Sequence, residues 1–151
     1  MFNSDSLKII LGTNPLLRKK SKEVADPAGP KTATLIKQMV KTMRLNNGVG
    51  LSAIQIGEPL RIFIVEVDYS LHIIINPMIK NISKDTVKME EGCLSFPGIF
   101  RPIERGKKAT VVYYDQKGKK QKLKAKGMLA RAIQHEYDHL EGILFLDHYH
   151  Q

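Results

Sequence analysis

Apolar residues recur at helical spacing in three parts of the chain. One helix is predicted over about residues 31–45, whose apolar positions are Leu35, Ile36, Met39, Val40 and Met43. The "NNG" that follows is typical of a helix end. A second helix is expected over about residues 127–141, between two glycines, Gly127 and Gly142. A shorter one is predicted near 15–24, opening on Pro15 and carrying Leu16, Leu17 and Val24.

Between these helices the pattern changes to short runs rich in β-branched and aromatic residues. The predicted strands are 60–67 ("LRIFIVEV"), 72–76 ("HIIIN"), 85–90, 109–115 ("ATVVYYD") and 121–126. The last two are joined by "QKGKK", a glycine turn that predicts a hairpin. Strands followed by a final helix, without strict βαβ alternation, favour an α+β fold. At 151 residues the chain, 1–151, is expected to form a single domain.

Composition indicates the cellular compartment in which such a domain is expected. No stretch approaches the roughly 20 apolar residues that cross a bilayer, so no membrane association is expected. The start, "MFNSDSLKII", lacks the basic and apolar regions of a secretory signal. The one cysteine, Cys93, cannot form an internal disulfide. A cytoplasmic protein is therefore expected, and a mature organellar form is the alternative.

The net charge of +9 is concentrated in residues 104–126. This segment holds nine Lys or Arg against Glu104 and Asp115, a local net charge of +7. In "KLKAK" the lysines alternate with Leu123 and Ala125, which favours a strand with one solvated face. A docking surface for phosphates is the second interpretation. Because no nucleic-acid-binding module is apparent, no specific nucleic acid is expected.

Metal chemistry is indicated by "IQHEYDHLEGILF", residues 133–145. On a helix His135 and His139 leave the same face one turn apart, so both imidazoles can bind one ion. The neighbouring Glu136 can act as a general base. A zinc endopeptidase of this type needs a third ligand, but the position that carries His in one such pattern is Phe145 here.

Cys93 can supply the third ligand. It lies in "EEGCLSFPG", where glycines and a proline predict a tight, non-helical segment able to aim a side chain inward. A Cys/His/His set leaves one coordination position open, as catalysis requires. The alternative is a buried, unreactive core cysteine.

With these motifs in place, the chain resembles the peptide deformylase family. The resemblance rests on "GVGLSAIQIG" at 48–57, "EGCLSFPG" at 91–98 and "QHEYDHLEG" at 134–142, in the order and spacing of the family. It extends over nearly the whole chain and implies β-sheets packed around a metal-binding central helix. It also implies removal of formate from N-formylmethionyl nascent peptides, with protein biosynthesis as the setting. The alternatives are a zinc endopeptidase and a basic ribosome-associated module with a vestigial site. Ser52 and Ile54 depart from the residues common in the first motif.

The resemblance also implies roles for individual residues. The metal ligands would be Cys93, His135 and His139. Glu136 would be the general base toward metal-bound water and then the acid for the leaving amine. The oxyanion would be stabilised by the side chain of Gln55 and the backbone N–H of Leu94.

Substrate contacts are expected around two glycines, Gly50 and Gly92, whose main chain would hold the peptide as an added strand. Candidates for an apolar pocket that takes the methionine side chain are Val49, Met128 and Ala132, with plain core packing as the alternative. The implied cofactor is one Fe(II) ion, although Zn, Ni or Co can occupy such a ligand set in vitro. A monomer is expected, with transient ribosome contact through the basic residues 104–126 as a hypothesis.

Overall fold

The computed structural model describes residues 7–150; residues 1–6 and 151, the ends of the expected domain, lie outside the described part. Two helices, α1 (Pro30–Leu45) and α2 (Gly127–Leu140), confirm the two main helix predictions to within one residue at each end. α1 begins with Pro30 in its first turn and is followed by Asn47 in the left-handed conformation, φ 55°. No helix in the described part is both long and apolar enough to cross a membrane.

Seven strands form two sheets in the described chain. They are β1 (Gly50–Ser52), β2 (Ile62–Val67), β3 (Ser70–Ile82), β4 (Thr86–Cys93), β5 (Phe96–Gly106), β6 (Lys108–Tyr114) and β7 (Lys120–Lys126). One sheet has the order β1-β2-β3-β6-β7, and β4 and β5 pair as a separate hairpin. All of these pairings are antiparallel. The expected α+β architecture, including the β6–β7 hairpin, is confirmed.

The five-stranded sheet is covered by a helix on each face. In β2, Phe63 and Val65 pack in the cluster that contains Ile133 and Leu140 of α2. The side chains on the opposite face of β2, including Ile62, pack in the cluster that contains the buried apolar residues of α1. This explains why residues 62–65 are continuously apolar, since a strand covered on both sides has no polar face. The sheet thereby fixes α2 in the middle of the molecule.

The predicted helix at 15–24 is wrong. Only Pro15–Arg18 forms a turn of 3-10 helix. Beyond it the backbone bonds to distant segments: the Ser21 N–H donates to the Leu140 carbonyl, and the Lys22 N–H donates to the Pro59 carbonyl. Because those partners take the backbone groups that a helix would pair internally, the segment runs extended.

Two strands were missed by the sequence pattern. β1 has only three residues, and β5 contains Pro97, Gly98 and Pro102, which usually argue against a strand. β5 tolerates these residues because, among the described strands, it pairs with β4 alone, so one side of its backbone needs no ladder partner. The hairpin formed by β4 and β5 is the tight, non-helical segment expected around Cys93.

Eight of the nine basic residues of segment 104–126 are exposed, most of them on the β6–β7 hairpin, but Arg105, on β5, is buried. Lys120, Lys122, Lys124 and Lys126 are exposed, whereas Ala125 is buried and Leu123 is half-buried. The expected strand with one solvated face is thus confirmed. β7 is also the last strand of its sheet, so these lysines form an edge row.

Candidate active site

Three structural units meet at the end of the β4–β5 hairpin. α2 contributes His135, Glu136 and His139 from its buried face. β4 ends at Cys93, and the turn to β5 begins with Leu94. The segment from β1 into a short 3-10 helix, Ala53–Ile56, contributes Gly50 and Gln55. Residues far apart in sequence are thereby brought around one point.

The ligand atoms of Cys93, His135 and His139 all lie within 4.8 Å of one another. Sγ of Cys93 is 3.4 Å from Nε2 of His139. Tetrahedral bond lengths of about 2.3 Å to sulfur and 2.1 Å to nitrogen place such atoms about 3.6 Å apart. The three donors therefore fit one ion of the size of zinc or ferrous iron.

The two histidines differ in their electrostatic surroundings. Burial, with the nearby charges of His135 and Arg105, holds the pKa of His139 well below 6.5, so its ring is neutral and able to coordinate. Burial also disfavours the charged ring of His135, but contacts with Cys93 and Glu91 outweigh it and raise the pKa of His135 to about 10. A metal ion at Nε2 would take the place of that proton.

Glu91 supports the site but was not among the predicted site residues. Its carboxylate is 2.9 Å from Nδ1 of His135 and accepts bonds from two buried arginines, Arg105 and Arg131. Burial would raise the pKa of Glu91, but the bonds from His135 and Arg105 outweigh it and lower it to about 2. A carboxylate behind a ligating histidine fixes the ring orientation. Two signals were available: Glu91 is the first residue of the motif "EGCLSFPG", and it lies two residues before Cys93, on the same face of a strand.

Glu136 is 4 % exposed and lies beside the donor cluster. Its Oε1 accepts a bond of 2.8 Å from the Ser52 hydroxyl, and its Oε2 is 3.9 Å from Nε2 of His135. Burial raises the pKa of Glu136 above its ordinary value. A carboxyl group with a raised pKa is suited to accepting and returning a proton near neutral pH.

Gln55 is held so that its amide nitrogen faces the cluster. Its Oε1 accepts from the Ser52 N–H at 2.9 Å, while its Nε2 is 3.0 Å from Oγ of Ser95 and 3.6 Å from Sγ of Cys93. This bonding pattern assigns which end of the amide is nitrogen. A neutral hydrogen-bond donor therefore points to where the ion would lie.

A cleft of about 490 Å³ opens above the cluster. Ten of the eleven predicted site residues line it: Val49, Gly50, Gln55, Gly92, Cys93, Leu94, Met128, Ala132, His135 and Glu136. The eleventh, His139, is buried beneath Cys93. Val49 and Met128 are each 45 % exposed, so they are cleft wall rather than core, whereas Ala132 is buried. Phe100, which was also not among the predicted site residues, lines the cleft beside Gly92, where an added Cβ would be 2.5 Å from its ring.

Phe145, the position at which the endopeptidase pattern failed, is a packing residue. It is 1 % exposed, and its ring lies 5.6 Å from that of Phe96 and 5.8 Å from that of His135. It supports a ligand ring from behind but offers no donor atom. The endopeptidase interpretation therefore gains no third ligand from this position.

An α+β domain with a Cys/His/His cluster, an adjacent buried carboxyl group and an open cleft has the arrangement of a metal-dependent hydrolase. Comparison with known proteins gives the family. The sequence matches the polypeptide deformylase family over residues 6–151. It is 46 % identical over 145 residues to a peptide deformylase of Pelagibacter ubique, covering 93 % of this chain and 84 % of that protein.

Solved structures agree with the sequence match. The peptide deformylase of Thermotoga maritima has a TM-score of 0.94 at 38 % identity, covering 97 % of this chain and 99 % of that one. A class I type b peptide deformylase of Acinetobacter baumannii, solved with Met-Ala-Ser bound, has a TM-score of 0.93 at 29 % identity over 97 % and 99 % of the two chains. The chain belongs to the polypeptide deformylase family.

Proposed function

We propose that this chain removes the N-formyl group, as formate, from the terminal methionine of newly made polypeptides. The observation that carries the proposal is the Cys93, His135 and His139 donor cluster with Glu136 beside it, at the base of an open cleft. Membership in the deformylase family supports the same reaction.

Each part of the chemistry has a candidate residue. Cys93, His135 and His139 would hold the metal ion, which when bound would supply a Lewis acid for the formyl carbonyl and lower the pKa of a bound water. Glu136 takes the proton of the attacking water and returns it to the leaving amine. Nε2 of Gln55 and the backbone N–H of Leu94 donate to the developing oxyanion.

The cleft is suited to an extended peptide with an apolar first residue. Gly50 and Gly92 leave backbone groups accessible along the rim, where a peptide can pair as an added strand. Val49 and Met128 present apolar surface for the methionine side chain, with Ala132 beneath them. The Acinetobacter relative with bound Met-Ala-Ser supports a peptide of this kind.

The physiological ion in this proposal is Fe(II). Two imidazoles and one thiolate suit iron, zinc, cobalt or nickel, and affinity alone favours zinc over ferrous iron. The test is metal analysis after anaerobic and after aerobic purification, with activity measured on each sample. We expect the iron-loaded protein to lose activity in air and the zinc-loaded protein to keep its activity. Equal activity with zinc and iron would remove the preference for Fe(II).

The reaction itself is tested by formate release from formyl-Met-Ala-Ser, using anaerobically prepared, iron-loaded protein. Acetyl-Met-Ala-Ser controls for the acyl group, and unformylated Met-Ala-Ser controls for peptide-bond cleavage. Formate from the formyl peptide alone is expected. Absence of formate would overturn the proposed function, and cleavage of a peptide bond in Met-Ala-Ser would instead indicate a peptidase.

We also propose that the enzyme is a cytoplasmic monomer that contacts the ribosome through its basic edge. The four-lysine row of β7, Lys120 to Lys126, makes no ion pair within the described residues, which leaves its charge available to phosphates. Sedimentation with ribosomes at 50 and 200 mM salt tests this, with Lys122→Glu compared with Lys37→Glu on α1. Binding that is absent or insensitive to salt would refute the contact.

A further inference from the structure

Ser52 contacts Glu136 and Gln55 through different atoms. It is fully buried at the end of β1 and does not line the cleft. Its backbone N–H donates to Oε1 of Gln55 at 2.9 Å. Its hydroxyl lies 2.8 Å from Oε1 of Glu136 and 3.1 Å from the backbone carbonyl oxygen of the same residue. One residue therefore holds two side chains of the proposed catalytic group without reaching the substrate.

A hydroxyl carries a single proton, so Ser52 can donate to only one of these two acceptors at a time. The carboxylate oxygen is nearer and, when ionised, is the stronger acceptor. The Ser52 hydroxyl thus donates to Oε1 of Glu136, and this hydrogen bond holds Oε1 on the buried side of the site.

The other carboxyl oxygen faces the opposite way. Oε2 of Glu136 is the atom near Nε2 of His135. It also borders Gly50, where an added Cβ would lie only 2.6 Å from it. Both neighbours line the cleft. The absence of a side chain at Gly50 leaves room for Oε2 to stay at this position.

We propose that Ser52 is a positioning residue that, by donating its hydroxyl proton to Oε1 of Glu136, makes Oε2 the oxygen that exchanges protons with water and substrate. The inference rests on the proposed function. A proton taken from water is carried on Oε2 and passes from there to the leaving amine. The Ser52 bond to Oε1 persists through both steps, because Oε1 remains an acceptor in the protonated carboxyl group.

The test is the variant Ser52→Ala, which deletes the hydroxyl but keeps the backbone N–H that holds Gln55. Loss of a hydrogen bond to a charged group predicts a kcat about 10- to 100-fold lower. KM should stay within twofold, because Ser52 does not line the cleft, and the metal content should equal that of the wild type. Ser52→Gly removes the same hydroxyl and serves if the alanine variant does not fold.

Ser21→Ala is the matched control. Ser21 is also buried, and its hydroxyl has no hydrogen-bond partner among the described residues, so its removal should leave kcat unchanged. A Ser52→Ala kcat within twofold of wild type would overturn the inference. So would a fall accompanied by lost metal or a raised KM, since that indicates a merely structural role. Absence of formate release by the wild type would instead refute the proposed function.

Discussion

Replacing Glu91 with glutamine tests whether the buried ion network holds the site together. Glu91 is 6 % exposed and accepts from Arg105 at 2.9 and 3.1 Å and from Arg131 at 2.5 Å. Glu91→Gln keeps the shape but removes the negative charge. Two buried guanidinium groups then face a neutral amide, and among residues 7–150 Asp138 alone remains to compensate Arg105.

The size of the effect follows from two independent arguments. Removing one partner of a buried ion pair costs about 3–5 kcal/mol. The pKa of Glu91, lowered from 4.5 to about 2, corresponds to about 3 kcal/mol of stability at neutral pH. At about 2–4 °C per kcal/mol for a domain of this size, the value of about 3 kcal/mol common to both arguments lowers the melting temperature by about 6–12 °C. Because Glu91 also holds His135, metal affinity should fall by about 10- to 100-fold.

Scanning calorimetry and metal titration measure these two quantities. Glu66→Gln is the matched control, since Glu66 also pairs with an arginine through both carboxylate oxygens, at 3.0 and 2.6 Å, but at the surface. Its melting temperature should fall by no more than about 2 °C. Equal shifts for the two variants, or a Glu91→Gln protein that melts within 2 °C of wild type, would refute the buried-network argument.

Three further variants examine the site. Cys93→Ala should lose the bound metal by elemental analysis, because two imidazoles alone hold it weakly; full metal retention would point to another ligand. Glu136→Ala should keep one equivalent of metal while kcat falls at least about 100-fold, and unchanged turnover would remove Glu136 as the base. Gly50→Ala should lower kcat, because its Cβ would meet Oε2 of Glu136 at 2.6 Å; normal kinetics would show that the carboxyl group can move without loss.

Elements with a regular local pattern were the ones that sequence predicted well. α1 and α2 follow from apolar spacing and from the residues that end a helix, and β6–β7 follows from alternation around a glycine turn. Residues 19–24 contribute only Val24 to the apolar pattern, and their backbone bonds lie with segments remote in sequence. Local propensity could not indicate those partners, so the helix prediction there was wrong.

The sequence by itself determined the family and indicated the candidate donor residues. Residues four apart on a helix lie about one turn apart on the same face. The shared face of His135 and His139 therefore follows from their spacing, wherever the helix packs. The three motifs likewise indicated the family without coordinates. Their assignment as ligands and their catalytic roles stay predictions.

Only the tertiary structure decided how those groups are supported. Ser52 meets Glu136 across 84 residues, and Glu91 meets His135 across 44. Such contacts depend on how the sheet, the β4–β5 hairpin and α2 pack together. The sequence alone does not distinguish a polar residue that will face solvent from one that will contact a buried side chain. Burial turns these side chains into fixed hydrogen-bond partners, since a buried polar group without a partner is costly.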